Sequence, residues 1–194
     1  KSYCKINLFL KVVKKLKNGY HGITSLVTFC NLHDVILISK INSSKDKITF
    51  SGRFKKGIKK QNNTVVKTLN LLRKENFLKH QTYKINIEKN IPQGSGLGGG
   101  SSNAAALLNY FNLKMGFKIK NARMNKLANK IGSDVPILLE KRNTFLIGKN
   151  NKLLRTKRKF SFNLLIVYPN YASSTKKIYQ QNKEIGPLKS KIFF

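Results

Sequence analysis

The chain has 194 residues, of which 39 are Lys or Arg and 7 are Asp or Glu, so its formal net charge is +32. A hydrophobic fraction of 40 % at this length suffices for one buried core, or for one domain and part of a second. No apolar run approaches the roughly 18 residues of a membrane span, and the two cysteines have neither metal nor disulfide spacing, which excludes a membrane-spanning protein and a disulfide framework. Cys4 and Cys30 are interpreted as reduced thiols of a cytoplasmic protein.

The positive charge resembles that of proteins that bind nucleic acids or acidic membranes. Only six of the 39 basic residues are arginine, however, and the lysines are spread along the whole chain. Arginine is favoured for bidentate phosphate recognition, so we expect neither a specific nucleic-acid partner nor a membrane partner. The charge is expected to steer small anionic substrates toward the protein.

The first predicted element is a strand over residues 3–13, where apolar and polar residues alternate. One face is apolar and carries Ile6, Leu8, Leu10 and Val12. Lys5 and Asn7 share the other face, about 7 Å apart along the strand, and spacing alone favours a solvated outer face. Residues 17–22 form a turn signal, and a pair such as Tyr20 and His21 just past its tip is more often plain surface than a binding element.

Further strands and helices are predicted along the rest of the chain. Strand-like runs cover residues 23–30, 34–41, 47–51, 83–88, 143–148 and 162–168. Helical spacing covers residues 64–72, 102–115 and 121–131, and another helix begins at Thr175 and runs through Tyr179. No internal repeat or low-complexity linker interrupts them.

A glycine-rich stretch between residues 92 and 108 organises the chain. Five of the 13 glycines fall here, at Gly94, Gly96, Gly98, Gly99 and Gly100. A strand precedes the stretch, and Ser101 and Ser102 lead into an Ala/Leu run that favours a helix. Glycine lets backbone approach a ligand closely, and the free amides of a helix N-terminus favour an anion. The pattern predicts a phosphate-binding loop.

Three familiar kinds of phosphate loop do not fit this stretch. No Gly-Lys-Ser/Thr follows the glycines, which excludes a Walker A loop. Gly94-x-Gly-x-x-Gly matches the dinucleotide pattern, but no acidic residue lies between Glu88 and Asp134 to hold a ribose. The H-R-D and D-F-G segments of protein kinases are also absent from the sequence. A merely flexible surface loop is disfavoured because a strand and an apolar helix frame the glycines.

Asp134 is one of only 7 acidic residues and lies two positions after Gly132 in an otherwise apolar run. Taken alone, an Asp before Val-Pro is most simply a helix N-cap. The alternative is a general base, since phosphoryl transfer to an alcohol needs an acceptor for the hydroxyl proton.

Together, three motifs resemble the GHMP small-molecule kinases. They are Pro92-x-Gly-x-Gly-Leu-Gly-Gly-Gly-Ser-Ser-Asn, then Lys5-Ile-Asn-Leu-Phe-Leu with Asn18-Gly-Tyr-His, and Ile131-Gly-Ser-Asp-Val-Pro. The resemblance covers residues 1 to about 181 and is strongest to the branch that phosphorylates the 2-hydroxyl of a cytidine-diphosphate-linked methylerythritol in non-mevalonate isoprenoid biosynthesis. It implies an α+β fold of the GHMP kinase type, with a ribosomal protein S5 domain 2-like N-terminal domain over residues 1–150 and a second α+β domain beginning at residues 151–194.

The resemblance also implies roles for individual residues. Lys5 and Asp134 match the catalytic lysine and aspartate, with Lys5 expected near Asp134. ATP binding is implied for the whole loop: Pro92, Gln93, Gly94, Ser95, Gly96, Leu97, Gly98, Gly99, Gly100, Ser101 and Ser102. Substrate binding is implied for Asn7, which orients the acceptor, for Tyr20 and His21, which stack on and read cytosine, and for Thr175 and Tyr179. ATP and Mg2+ are the expected cofactors; no protein metal ligand is assigned, because the ATP phosphates are expected to hold Mg2+.

The late Gly-x-Gly-Ala segment of the family does not occur in the sequence, so we expect a C-terminally truncated chain, acting as a monomer or homodimer. Two alternatives stay open. Another GHMP-type kinase, for a sugar, mevalonate or homoserine, would share the loop but not the Asn-Gly-Tyr-His turn. A basic RNA-binding protein without enzymatic activity would account for the charge.

Overall fold

The computed structural model describes residues 1–15, 21–59, 61–147, 152–158 and 160–169, together with residues 178 and 186. Its strands are β1 (Ser2–Lys15), β2 (His21–Ile41), β3 (Lys47–Ser51), β4 (Thr82–Glu88), β5 (Thr144–Ile147) and β6 (Lys152–Arg155). Its helices are α1 (Thr64–Lys74), α2 (Gly99–Lys114), α3 (Asn121–Ile131) and α4 (Val135–Leu138). Strand β1 pairs with β2.

The chain divides into two compact units. The first unit comprises Lys1–Cys4, Cys30–Gln93 and Leu97–Lys141. The second unit comprises Lys5–Phe29, Gly94–Gly96 and Arg142–Phe194.

The sheet of the first unit is mixed. Strand β3 runs parallel to β4, and β4 runs antiparallel to the part of β2 that begins at Val35. Alternate residues of β4 are fully buried, namely Tyr83, Ile85 and Ile87. One face of β4 therefore contributes to the hydrophobic core, as its period of two predicts.

Helix α2 is the centre of the helical layer in the first unit and packs against α1, α3 and α4. Ala104 and Ala105 are fully buried, and their small side chains allow a close approach of neighbouring elements. Phe111 stacks edge-on against Tyr83 of β4, with ring centroids 5.0 Å apart. Helix α1 buries Val65, Leu69 and Leu72 at the predicted helical spacing.

In the second unit, the sheet is antiparallel. Residues 25–27 of β2 pair with β5, and β5 pairs with β6. Thr28 Oγ1 donates a 2.7 Å hydrogen bond to Asn143 Oδ1 beside this ladder.

Several predicted boundaries differ from the structure. Residues 23–30 and 34–41 belong to one continuous strand, β2, because no glycine or proline between them interrupts it. Helix α2 begins three residues before Ser102, with Gly98 as its N-cap.

The prediction of a strand over residues 162–168 is wrong, and β6 was not predicted. A strand needs a hydrogen-bonded neighbour and burial of one face. In the described segment 160–169 no strand ladder forms, and Leu165 and Val167 are 91 % and 80 % exposed. Of the helices within the described ranges, none has the length and apolar character needed to cross a bilayer.

Candidate active site

The glycine loop takes backbone conformations that side chains disfavour. Gly94, Gly96 and Gly98 have φ values of 64°, 76° and 72°. Gly98 is the N-cap of α2, so its left-handed conformation aims the chain into the helix without a side-chain cap. The first hydrogen bond of α2 runs 2.8 Å from the Ser102 amide to the Gly98 carbonyl. The amides of residues 99–101 therefore precede the helical ladder and are available to an anion.

In the first unit, side-chain hydrogen bonds hold the segments that flank the loop. Gln93 Nε2 donates to the carbonyls of Phe54, at 3.2 Å, and Lys56, at 2.7 Å. Thr64 Oγ1 of α1 donates to the Gly100 carbonyl at 2.6 Å. Ser102, predicted to lead into the helix, lies inside it and donates through Oγ to the Tyr3 carbonyl. Side-chain hydrogen bonds therefore hold the segment before the loop and the segment after it.

Asp134 lies in the first unit at the N-cap position of the short helix α4. The helix is anchored by its apolar residues, because Val135 is fully buried and Ile137 is 3 % exposed. The Asp134 carboxylate accepts no capping hydrogen bond from α4, although the simplest interpretation of its sequence position was a cap. The carboxylate is half-buried at a helix start, which suits a group that accepts a proton.

Lys5 and Asn7 of the second unit share one face of β1, as the strand alternation predicted, and their side chains are also in direct contact. Lys5 Nζ donates to Asn7 Oδ1 at 2.7 Å, and Asn7 Nδ2 donates to Ser25 Oγ at 2.7 Å. Ser25 Oγ in turn donates to the Phe9 carbonyl at 2.6 Å. The chain of hydrogen bonds fixes the rotamer of Asn7 and holds the ammonium of Lys5 in one direction.

The solvent exposure of the two faces of β1 differs from what the alternating pattern alone predicts. Lys5 is only 8 % exposed, whereas Leu8 and Leu10 on the apolar face are 41 % and 39 % exposed. The prediction from spacing alone, that Lys5 lies on a solvated outer face of the strand, is therefore wrong. A buried lysine that is held by an amide is a stronger candidate for a functional cation than a surface lysine.

A buried polar cluster next to the glycine loop was missed in the sequence. It comprises Asp34, Lys89 and Asn103, which are at most 3 % exposed. Lys89 Nζ pairs with Asp34, and Asn103 contacts both of them. Two features of the sequence were available as signals for this cluster. Lys89 and Asn103 flank the glycines, and Asp34 is one of only 7 acidic residues and lies in an apolar strand.

Not every predicted site residue can be located. Tyr20, Thr175 and Tyr179 lie outside the described residues. His21 begins β2, and only its backbone is described. No group of three or more His, Cys, Asp or Glu side chains that could hold a metal ion occurs in the part of the chain that the structure describes.

Comparison with known proteins places these features in a family. The profile of the GHMP kinases N terminal domain matches residues 63–141, which include the glycine loop and Asp134. The 4-diphosphocytidyl-2-C-methyl-D-erythritol kinase of Pelagibacter ubique (strain HTCC1062) is 42 % identical over 100 % of this chain and 69 % of its own length. The kinase of the same name from Petrotoga mobilis (strain DSM 10674 / SJ95) is 36 % identical over 93 % of this chain and 68 % of its length.

The chain belongs to the 4-diphosphocytidyl-2-C-methyl-D-erythritol kinase family of GHMP kinases. Among solved structures, a 4-(cytidine 5'-diphospho)-2C-methyl-D-erythritol kinase is 26 % identical with a TM-score of 0.63, over 80 % of this chain and 53 % of that one. A mevalonate kinase at 17 % identity has a TM-score of 0.59 over 80 % of this chain and 55 % of that one, which supports the GHMP kinase fold alone. The chain thus spans about half of these solved kinases and about two thirds of its curated relatives.

Proposed function

We propose that the protein containing this chain transfers the terminal phosphate of ATP to the 2-hydroxyl of 4-diphosphocytidyl-2-C-methyl-D-erythritol, a step of non-mevalonate isoprenoid precursor biosynthesis. The observation that carries the proposal is the glycine loop before α2, in a chain 42 % identical to a kinase of that name. GHMP kinases use ATP as the phosphate donor.

We assign the ATP phosphates to the loop from Pro92 to Ser102. The amides of residues 99–101 at the start of α2 supply hydrogen-bond donors, and the helix dipole favours negative charge there. A β-carbon on Gly96 would meet nothing within 4 Å, so the backbone at this glycine has room beside it for a ligand. Mg2+ fits this chemistry when it is held mainly by phosphate oxygens, which it commonly prefers to an all-protein cage.

For the chemical step, we assign the general base to Asp134, which would accept the proton of the acceptor hydroxyl. Lys5 would offset the charge that develops on the transferred phosphoryl group, and the hydrogen bond to Asn7 keeps its ammonium in position. Asn7 would orient the acceptor through the same polar network.

Cytidine recognition is assigned from the sequence to Tyr20, His21, Thr175 and Tyr179. The two tyrosine rings would stack on the cytosine, and His21 would read its polar edge.

We further propose that the chain divides at residue 150 into a nucleotide-binding domain and the start of a second domain. Its free thiols fit a reducing cytoplasm, and it would act there as a monomer or homodimer.

Acceptor discrimination tests this assignment. The full-length protein that contains this chain is given ATP, Mg2+ and either the cytidine-linked acceptor or mevalonate, homoserine or galactose. We expect phosphorylation of the cytidine-linked acceptor alone, and a KM for it that rises at least about tenfold in His21→Ala. His80→Ala is the matched control, because His80 is an exposed histidine outside the proposed site.

Phosphorylation of another acceptor with an unchanged KM in His21→Ala would identify a different GHMP-type kinase. Tight, salt-sensitive RNA binding that persists in Asp134→Asn, without any phosphorylation, would favour the RNA-binding alternative.

A further inference from the structure

We propose that Asp34, Lys89 and Asn103 form a positioning cluster that fixes the two flanks of the glycine loop in the geometry needed for ATP. The inference rests on the proposed function, because it treats the loop as the ATP site. None of the three side chains needs to touch the nucleotide. They act through the backbone of residues 90–91, before the glycines, and through helix α2, after them.

Asp34 joins the two flanks because its two oxygens serve different segments. Oδ1 accepts hydrogen bonds from the amides of Asn90 and Ile91, at 2.8 and 2.9 Å, where the chain leaves β4 for the loop. Oδ2 accepts hydrogen bonds from Lys89 Nζ and from Asn103 Nδ2 of helix α2, the latter at 3.0 Å. A single carboxylate that is 0 % exposed therefore ties the entrance of the loop to its exit helix.

Lys89 and Asn103 complete a closed triangle with Asp34. Lys89 Nζ donates to Asn103 Oδ1 at 3.0 Å, and Asn103 Nδ2 also reaches Ser2 Oγ at 3.2 Å. The buried charges of Asp34 and Lys89 compensate each other, which a buried ion needs. The sequence position of Lys89, just before a phosphate loop, would suggest a phosphate ligand. Its 3 % exposure and its pairing with Asp34 make it a structural cation instead.

The packing around Lys89 shows how closely the cluster supports the loop. A β-carbon added to Gly99, the first residue of α2, would lie 3.4 Å from Lys89 Nζ. The backbone of Lys89 is itself fixed, because its amide donates to Ser51 and its carbonyl accepts from Phe54. A shift of the Lys89 side chain is therefore transmitted to the first turn of α2 and not absorbed by its own backbone.

A second carboxylate offers a matched control at the other end of β4. Asp46 accepts hydrogen bonds from the Tyr83 amide and from Arg73, as Asp34 does from backbone and Lys89. Tyr83 and Lys89 are six residues apart, about 20 Å along an extended strand. Loss of the Asp46 carboxylate should reduce stability without moving the glycine loop.

The experiment compares Asp34→Asn, Asn103→Leu, the double variant Asp34→Asn/Lys89→Met and the control Asp46→Asn. All are made in the full-length protein and assayed well below their unfolding temperatures. ATP dissociation constants are measured without the acceptor. The KM values for ATP and for the cytidine-linked acceptor are measured with both substrates present. Asp34→Asn alone leaves the Lys89 ammonium uncompensated, and the double variant removes that cation. The side-chain amide oxygen introduced at position 34 can still accept hydrogen bonds from the amides of residues 90 and 91.

We expect Asp34→Asn and Asn103→Leu to weaken ATP binding at least about tenfold, with the KM for the acceptor within about twofold of the unmodified value. The double variant should recover most of the ATP affinity that Asp34→Asn loses, and Asp46→Asn should bind ATP normally. Unchanged ATP affinity in the folded Asn103→Leu and Asp34→Asn variants, or an equal rise of both KM values, would overturn the inference. If Asp34→Asn does not fold, Asn103→Leu and the double variant decide.

The proposed function can fail separately. An unmodified protein that binds ATP but phosphorylates no acceptor overturns the proposed function, while the ATP affinities of the variants still decide on the cluster. An unmodified protein that does not bind ATP overturns both.

Discussion

Gly99 and Ile91 approach each other so closely across the glycine loop that a β-carbon on Gly99 would lie 3.0 Å from Ile91 Cγ2. The same atom would lie 3.1 Å from Ile91 Cβ, and Ile91 is fully buried. The neighbouring Gly100 is different, since a β-carbon there would meet Thr64 Oγ1 at 3.5 Å, an ordinary contact. Close packing, and not a positive φ, therefore requires glycine at position 99.

The first prediction follows from this difference. Gly99→Ala should lower the free energy of unfolding by about 1–3 kcal/mol, because the methyl group overpacks a rigid contact. Gly100→Ala should be neutral or slightly stabilising, because alanine is the better helix former and has space. Denaturant unfolding without nucleotide measures both changes. Equal stability of the two variants would show that Ile91 yields to the methyl group.

The second prediction concerns the hydrogen bond from Lys5 to Asn7. Asn7→Leu removes the acceptor that directs the Lys5 ammonium, so we expect kcat to fall by about 10–100-fold while the ATP dissociation constant changes by less than about twofold. Asn86→Leu is the control, since Asn86 is also a strand asparagine bonded to hydroxyl groups, those of Thr49 and Ser51. Steady-state kinetics with a nucleotide-binding titration separates the two effects. A normal kcat in Asn7→Leu would contradict the role of Asn7 in directing the Lys5 ammonium.

The third prediction concerns the thiol of Cys4. Burial, reinforced by the Cys30 thiol 2.9 Å away, raises the pKa of Cys4 from 9.0 to about 12. Because the folded pKa is the higher one, the stability gained from the protonated thiol is fully present below pH 9 and is lost as the pH rises from 9 toward 12. We expect Cys4 to resist iodoacetamide at pH 8 in the folded protein and to react once urea unfolds it. Peptide mapping by mass spectrometry measures this, and rapid alkylation of folded Cys4 at pH 8 would contradict it.

Local patterns predicted the elements whose determinants are local. The spacing of Val65, Leu69 and Leu72 and the alternation through Ile85 and Ile87 depend on one element each, so the sequence alone predicted them correctly. The predicted start of α2 is three residues too late, because serine is a preferred N-cap in sequence, whereas the structure has a left-handed Gly98 as the N-cap.

Features that depend on distant partners were not predictable in the same way. An apolar run such as residues 162–168 becomes a strand only if a neighbour pairs with it, and the sequence does not specify that neighbour. The buried cluster joins Asp34 to Lys89 and Asn103, which are 55 and 69 positions further along the chain. The local signal at Asp34, a rare aspartate in an apolar strand, does not identify the two residues that it contacts.

The family motifs identified the glycine loop, Lys5 and Asp134 because motif spacing reflects a shared fold. Their roles remain predictions, and so does the predicted proximity of Lys5 to Asp134, since Lys5 lies in the second unit and Asp134 in the first. The contacts around each of them, such as the hydrogen bond from Lys5 to Asn7, came only from the structure.

The central claim is that the Asp134 carboxylate takes the proton of the acceptor hydroxyl while the glycine loop holds ATP. The most direct measurement is phosphorus NMR of the full-length protein with ATP, Mg2+ and 4-diphosphocytidyl-2-C-methyl-D-erythritol, comparing the unmodified protein with Asp134→Asn and with Asp46→Asn as the carboxylate control. We predict a new phosphate monoester at the 2-position from the unmodified protein and the control, and a rate about 10²–10⁴-fold lower from Asp134→Asn with ATP binding retained. Product formation by Asp134→Asn at the unmodified rate, or no monoester from the unmodified protein, would contradict the claim.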